Sequence, residues 1–218
     1  MKCHLALFDC DGVLVDTEPV VNRVFVELVG TTGPKLDVDA TLLRFNGVSM
    51  RERFARIQDE YGWTPSPGYE HEFDERQSAA FRRELHAVPG AVEAVRAVRT
   101  PHAVVSNGSR DEMTLKLTSI GLLDAFAPNL FSAADVARSK PAPDVYLKAI
   151  ATLGAAPGAT VAVEDSVPGV TAALAAGLTV FGFSGGTRGD ALERLGARVF
   201  HDMRELPALL RAAGVDVA

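Results

Sequence analysis

The chain has only two cysteines, no long uncharged apolar segment and no block of like charges in its 218 residues. Cys3 and Cys10 lie an odd number of residues apart on or beside one predicted strand. Their side chains should therefore face opposite ways, which argues against a disulfide. A reducing cytoplasm is the predicted location. The missing apolar segment argues against a membrane span, and the first four residues lead into a strand rather than a signal peptide.

Charge and composition limit the classes of partner. The formal net charge is -6, from 22 Lys and Arg against 28 Asp and Glu. A nucleic-acid surface or a polybasic membrane patch is not predicted, so an anionic ligand would have to be held by a few local groups. The chain is 47% hydrophobic and 23% charged, which is typical of a globular protein with a core. The sequence gives no indication of oligomeric state, and a monomer is assumed.

The most informative segment lies near the start of the chain. Leu5 to Phe8 form an apolar run that predicts a buried strand, and Gly12 is a turn signal shortly after it. Asp9 and Asp11 lie between them, and in extended chain their side chains point to the same side. Carboxylates held so close repel unless a cation or a shared proton intervenes, which favours a divalent metal.

The next part of the chain, from about Glu18 to His86, is predicted to be helical. Apolar residues recur there at helical spacing, Gly and Pro separate the segments, and no strand-like apolar run occurs. Predicted helices follow Pro19 and Asp37, run from Ser49 to Tyr61, and cover Tyr69 to Leu85. We expect the aromatic residues of this part to form its own core: Phe54, Tyr61, Trp63 and Phe73.

From Ala91 onward, short apolar strands alternate with helices, which predicts parallel pairing through crossover helices. The expected fold is α/β: a Rossmann-like, doubly wound parallel sheet core, residues 1–16 and 87–218, with an inserted α-helical cap domain, residues 17–86. Ligand sites of such sheets lie at the carboxyl ends of the strands. The predicted strands are Leu5 to Phe8, Ala103 to Ser106, Asn129 to Phe131, Val161 to Glu164, Val180 to Phe183 and Arg198 to Phe200.

Three further polar segments lie at or beyond predicted strand ends. Ser106-Asn107-Gly108 offers a hydroxyl and backbone amides that suit a phosphate oxygen. Lys140 precedes Pro141 in a segment stiffened by two prolines, which would mount one ammonium rigidly. Glu164-Asp165 ends a buried strand with two acids. Each segment alone is also compatible with a turn, a surface lysine or a helix cap.

Together these segments resemble the four motifs of the haloacid dehalogenase superfamily, in the family's order. The resemblance implies that Asp9 is the nucleophile and that Asp11 handles the leaving group's proton. It implies that Ser106, Asn107 and Lys140 bind the phosphoryl group. It also implies a Mg²⁺ site formed by Asp9, the backbone carbonyl of Asp11 and Asp165, with Glu164 as a ligand or a partner of one. Oxygen ligands and a substrate phosphate favour that metal.

The expected activity is hydrolysis of a small phosphorylated sugar or sugar acid through an aspartyl-phosphate, since several tracts resemble bacterial 6-phosphogluconate phosphatase relatives. The alternative is a mutase similar to β-phosphoglucomutase. Such mutases carry His and Arg where this chain has Val21 and Met50, which favours hydrolysis. A noncatalytic binding or regulatory role is a third possibility. The namesake dehalogenase chemistry is disfavoured by Asp11.

Four residues of the insert are candidate substrate selectors: Thr17, Asn46, Ser49 and Arg51.

Overall fold

The structure is a computed structural model that describes residues 3–45, 48, 50–185 and 189–218. It divides into two compact units. One comprises Met1–Asp16 and His86–Ala218, and the other comprises Thr17–Leu85. The second unit is thus an insertion into the first, one residue shorter at its end than the segment predicted as the cap. Among the described residues, no helix is both long and apolar enough to cross a membrane.

Strands and helices follow one another in an order that alternates after the insertion. In chain order they are β1 (Leu5–Phe8), β2 (Val15–Asp16), α1 (Glu18–Thr32), α2 (Val38–Phe45), α3 (Met50–Tyr61), α4 (Tyr69–Glu84), β3 (His86–Ala87), α5 (Ala91–Ala97), β4 (His102–Ser106), α6 (Arg110–Ser119), α7 (Leu123–Phe126), β5 (Leu130–Ser132), α8 (Asp144–Thr152), β6 (Thr160–Glu164), α9 (Val167–Ala175), β7 (Thr179–Phe183), α10 (Gly189–Leu195), β8 (Arg198–Phe200) and α11 (Leu206–Ala212).

Six strands form one parallel sheet in the order β5-β4-β1-β6-β7-β8. The chain leaves β1 toward β4 and β5 and then returns to β6 on the other side. The strand order therefore reverses around β1, and ligand sites of doubly wound sheets lie at such a reversal. The predicted α/β class is confirmed.

Both faces of the sheet are covered, and the two-residue period of a strand explains how. Leu5 and Leu7 of β1 belong to a buried cluster with Val145, Tyr146 and residues of α9 and α10. Phe8 instead packs edge-on against Phe126 of α7. Successive side chains of a strand point to opposite faces, so a strand buried on both faces needs an unbroken apolar run.

The two short strands β2 and β3 were not predicted. β2 and β3 pair antiparallel, Val15 with Ala87 and Asp16 with His86, where the chain leaves for the insertion and returns from it. Strands of two residues are too short to show a periodic pattern, which is why the sequence did not reveal them. The predicted helix from Leu192 to Leu195 also begins earlier, at Gly189.

The inserted unit contains α1 to α4. Phe25 lies edge-on to Phe45 and Phe54, and Phe54 contacts Trp63 as well. Phe54 and Phe73 are buried, as predicted. Tyr61 is not part of this core, because it ends α3 with 49% of its surface exposed.

Candidate active site

Asp9 follows β1 directly, and its position is fixed by the sheet. Its backbone N–H donates to the carbonyl oxygen of Val163 at 3.0 Å, which continues the pairing of β1 with β6. On the other side, β1 pairs with β4, which ends at Ser106. Parallel pairing brings the carboxyl ends of adjacent strands to one edge. The ends of β4 and β6 therefore flank Asp9.

Lys140 joins two carboxylates at this edge. Its Nζ donates to Oδ1 of Asp9 at 2.7 Å and to Oε1 of Glu164 at 2.6 Å. A third bond goes to the carbonyl oxygen of Val105 at 2.9 Å. An ammonium has three donors, so these acceptors satisfy all of them. The group is buried, which fixes one positive charge between two negative ones.

The electrostatics of the edge reflect this burial. Burial raises the pKa of the Asp9 carboxyl to about 7, although the charge of Lys140 works in the opposite direction. Burial also disfavours the charged form of Lys140, but the carboxylates of Asp9 and Glu164 hold its pKa well above the usual value. The ammonium of Lys140 is shared by the carboxylates of Asp9 and Glu164, so a divalent cation would offset the remaining negative charge of these acids.

The residues present fit a metal. Ligand oxygens of Asp9, Glu164 and Asp165 lie within 4.8 Å of one another. Gly12 has φ +76°, and a Cβ there would come within 2.1 Å of Oδ2 of Asp165, so only glycine lets the loop approach this carboxylate. A set of carboxylate oxygens suits a hard cation such as Mg²⁺ or Ca²⁺ rather than a soft one.

Glu164 has further partners. The hydroxyl of Tyr146 donates to its Oε1 at 2.5 Å, and the hydroxyl of Ser166 donates to its Oε2 at 3.3 Å. Gly169 of α9 leaves room for this carboxylate, since a Cβ there would lie 2.0 Å from Oε2. Burial, followed by the charge of Glu164, raises the pKa of Tyr146 well above its usual value, so the phenol stays a donor. Tyr146 was not predicted as a site residue.

The two residues predicted to bind phosphate with Lys140 lie at the end of β4. The N–H of Gly108 donates to Oγ of Ser106 at 3.0 Å, which leaves the Ser106 hydroxyl proton for another acceptor. Oδ1 of Asn107 accepts from the backbone N–H of Lys140 at 3.0 Å. The Asn107 side chain is therefore a brace for the lysine segment through its oxygen, and its amide nitrogen is the end suited to phosphate.

Asp11 is brought to a residue that the sequence did not indicate. Nζ of Lys116 in α6 donates to Oδ1 of Asp11 at 2.7 Å, and the Lys116 side chain is 8% exposed. Burial works against the charge of this lysine, yet the carboxylate of Asp11 contributes to a raised pKa. Lys116 is adjacent in sequence to buried Leu117, at a position where the helical pattern calls for an apolar residue. A charged residue within an apolar stripe was the available signal.

The candidate selectors belong to the inserted unit. Thr17 precedes α1 and is buried, and Arg51 is exposed in the first turn of α3. Asn46 and Ser49 lie outside the described residues. Their assignment as selectors stays a prediction.

Comparison with known proteins places this site in a family. The model of the haloacid dehalogenase-like hydrolase family matches residues 3–177. A 6-phosphogluconate phosphatase from Escherichia coli is 31% identical over 99% of this chain and 98% of its own length. A haloacid dehalogenase family hydrolase from Deinococcus radiodurans, solved with bound phosphate and sodium, has a TM-score of 0.85 at 34% identity, covering 100% of this chain and 99% of that one.

A more distant structure adds a sugar ligand. A mutant of CbbY from Rhodobacter sphaeroides, in complex with xylulose-(1,5)bisphosphate, has a TM-score of 0.75 at 26% identity, covering 94% of this chain and 96% of that one. The expected phosphoric monoester hydrolase is confirmed by the family model and the phosphatase relatives. The chain therefore belongs to the haloacid dehalogenase-like hydrolases.

Proposed function

We propose that this hydrolase is a Mg²⁺-dependent phosphatase that acts on a small phosphorylated sugar or sugar acid through an aspartyl-phosphate on Asp9. The observation that carries the proposal is the bond from buried Lys140 to Asp9, 2.7 Å long, beside an acidic cluster that includes Asp9 itself. A nucleophilic carboxylate and a phosphate dianion repel each other, so a fixed cation beside the nucleophile is what this reaction needs.

In the first step, an oxygen of Asp9 forms a bond to phosphorus while the bond from phosphorus to the sugar oxygen breaks. The departing oxygen takes its electron pair and receives a proton from Asp11. Lys140 would keep its bond to Asp9 and exchange one of its other two acceptors for an oxygen of the transferring group as charge accumulates there. The hydroxyl of Ser106 and the amide of Asn107 would donate to the remaining phosphoryl oxygens.

In the second step, a water oxygen attacks the same phosphorus, and the bond between phosphorus and Asp9 breaks. Asp11, now ionised, accepts the proton of that water. Inorganic phosphate is released, and both carboxyls return to their starting states. Asp11 thus acts first as an acid and then as a base, which requires its carboxyl to reach the one position opposite Asp9 that the leaving oxygen vacates and the water then occupies.

The metal would be held by Asp9, Asp165 and the backbone carbonyl of Asp11, with Glu164 as a further ligand or as the partner that orients Lys140. When bound, Mg²⁺ would neutralise charge on the phosphoryl group and orient it toward the nucleophile.

We also propose a cytoplasmic location, where free thiols such as Cys3 and Cys10 persist.

The substrate class is supported by the relatives. The full-length Escherichia coli relative is named for 6-phosphogluconate, and the CbbY structure contains a sugar bisphosphate. We propose a substrate of the same chemical type, a phosphate monoester of a small sugar or sugar acid. Thr17, Asn46, Ser49 and Arg51 are the proposed selectors.

Phosphate release from a panel of sugar phosphates and sugar-acid phosphates, with Mg²⁺ and with EDTA, tests the proposal. We expect Mg²⁺-dependent release from at least one compound and none from the Asp9→Asn variant. β-Glucose 1-phosphate with a trace of the 1,6-bisphosphate belongs in the panel. Its conversion to glucose 6-phosphate without net phosphate release would instead establish the mutase, and inactivity throughout would contradict both activities.

A further inference from the structure

Lys116 is a buried cation within the hydrolase core that the proposed mechanism does not use. Its side chain is 8% exposed, whereas that of Asp11 is 36% exposed. Their bond of 2.7 Å joins α6 to the loop after β1, across 105 positions of sequence. Burying an ammonium is costly unless it is paired, so the bond to Asp11 is what offsets the cost of burying Lys116.

The two buried lysines of the site serve different carboxyls. Lys140 binds Asp9 and Glu164, and Lys116 binds Asp11. The nucleophile and the proton-transfer group are thus each held by a cation of their own.

The backbone that supports Lys116 is itself well fixed. α6 begins with a capping box, in which Oγ of Ser109 accepts from the N–H of Glu112 and the Glu112 carboxylate accepts from the N–H of Ser109. Met113 and Leu117 anchor the same face of the helix in the core. A lysine between such anchors has little freedom to move, so its ammonium provides a fixed point for Asp11.

We propose that Lys116 is a positioning residue for Asp11, which holds the carboxyl by a charge-assisted bond in the orientation needed for proton transfer to the leaving oxygen. The inference rests on the proposed function, because it assigns Asp11 to proton transfer. Lys116 acts through Asp11 and touches neither phosphorus nor the nucleophile in this role.

The consequence is a dependence on the leaving group. A sugar oxygen needs a proton as it departs, because an alkoxide is a poor leaving group. The p-nitrophenolate ion departs without one. Loss of Lys116 should therefore slow phosphoryl transfer from a sugar phosphate far more than from p-nitrophenyl phosphate. The ratio kcat/KM is the proper measure, since it covers the steps up to release of the leaving group and excludes the later hydrolysis of the phosphoenzyme.

The test compares Lys116→Met with wild type on p-nitrophenyl phosphate and on the best sugar phosphate of the panel. We expect kcat/KM to fall about 10- to 100-fold for the sugar phosphate and less than about threefold for p-nitrophenyl phosphate. Lys148→Met is the matched control, because Lys148 is a partly buried lysine of the same unit whose ammonium donates to the carbonyl oxygen of Asp135. It should change neither value. Lys116→Gln should show the same pattern with a smaller loss, and it carries the test if Lys116→Met does not fold.

A double-mutant cycle with Asp11→Asn identifies the route of the effect. If Lys116 acts through Asp11, adding Lys116→Met to Asp11→Asn should change kcat/KM for the sugar phosphate less than about twofold. Equal losses on the two substrates, or a full additional loss in the Asp11→Asn background, would overturn the inference. A wild-type protein that hydrolyses neither substrate would instead overturn the proposed function, and the inference with it.

Discussion

Nζ of Lys140 donates to Oδ1 of Asp9 at 2.7 Å, although the two residues are 131 positions apart in the sequence. Both groups are buried, and the ammonium also binds Glu164. This arrangement makes Lys140 a structural and a chemical element at once. It offsets acids that would otherwise destabilise the fold, and it supplies a cation beside the proposed nucleophile.

Lys140→Met should therefore damage both stability and turnover. Removal of one partner leaves buried carboxylates unpaired, which costs about 3–5 kcal/mol of unfolding free energy. Phosphate release should fall at least about 100-fold, because a fixed cation is lost from the transferring group. Urea unfolding and initial rates measure the two effects. Lys35→Met, at an exposed lysine, is the control. A Lys140→Met protein with wild-type rates would contradict the assignment.

The raised pKa of Asp9 predicts a pH-dependent stability of the metal-free protein. An ordinary aspartate has a pKa of 3.8, and that of Asp9 is about 7. When the folded-state pKa exceeds the unfolded-state value, the contribution to stability is fully present below the unfolded value and is lost as the pH rises through the folded one.

Asp9→Asn does not titrate, so in EDTA its melting temperature should exceed that of wild type by an amount that grows as the pH rises from about 4 to 7. Between pH 4 and pH 7, the unfolding free energy of Asp9→Asn relative to wild type should rise by at least about 1 kcal/mol. Thermal unfolding at several pH values measures it. Asp135→Asn, at an exposed acid, is the control. Desolvation raises the pKa of Asp135, but its hydrogen bonds, including that to Arg110, and nearby positive charge together outweigh this and hold the pKa below the usual value. The difference in melting temperature between Asp135→Asn and wild type should therefore stay constant or shrink as the pH rises over that range. A difference between Asp9→Asn and wild type that does not change with pH would contradict the prediction.

Much of the core could be predicted because its determinants are local. An apolar run followed by Asp9 and Asp11, and the glycines and prolines that punctuate the chain, identify strands and turns without knowledge of contacts. The order of the motifs then placed Ser106, Lys140 and Asp165 at one edge of the sheet. The structure brings Lys140 to Asp9 and Asp165 into the acidic cluster.

The partners that were missed depend on three-dimensional packing. Tyr146 reads as an ordinary apolar-face residue of α8, and only folding shows that its hydroxyl reaches Glu164. Lys116 reads as a surface lysine unless its place in the stripe of α6 is weighed against its neighbours. Both contacts join elements far apart in the chain, 18 and 105 positions, and no local propensity encodes them.

Gly169→Ala tests how closely Glu164 is fitted to α9. Alanine normally stabilises a helix relative to glycine, but the new Cβ would lie 2.0 Å from Oε2 of Glu164. The carboxylate must then move, and we expect a loss of about 1–3 kcal/mol together with weaker metal binding. Gly30→Ala in α1 is the matched control, since its nearest neighbour atom is 3.7 Å away. That variant should gain about 0.5–1 kcal/mol. Equal effects of the two substitutions would contradict the fit.

Asp165→Asn tests the metal site independently of turnover. Mg²⁺ that binds only the folded protein should raise the unfolding free energy of wild type, by about 2.7 kcal/mol at a concentration 100 times its Kd. The variant should show a much smaller gain at the same concentration, because it lacks one charged ligand of the cluster. Differential scanning calorimetry with added MgCl₂ or EDTA measures both. An undiminished response of Asp165→Asn would exclude this residue from the site.

The central claim, a covalent intermediate on Asp9, is tested most directly by acid quenching during turnover followed by peptide mass spectrometry. We expect the peptide that contains Asp9 to carry one extra phosphoryl group, which borohydride reduction converts to homoserine at position 9. Asp11→Asn with p-nitrophenyl phosphate should accumulate more of it, because the base for its hydrolysis is missing. Phosphate release by a fully active protein with no modification on that peptide, or turnover retained in Asp9→Asn, would contradict the account.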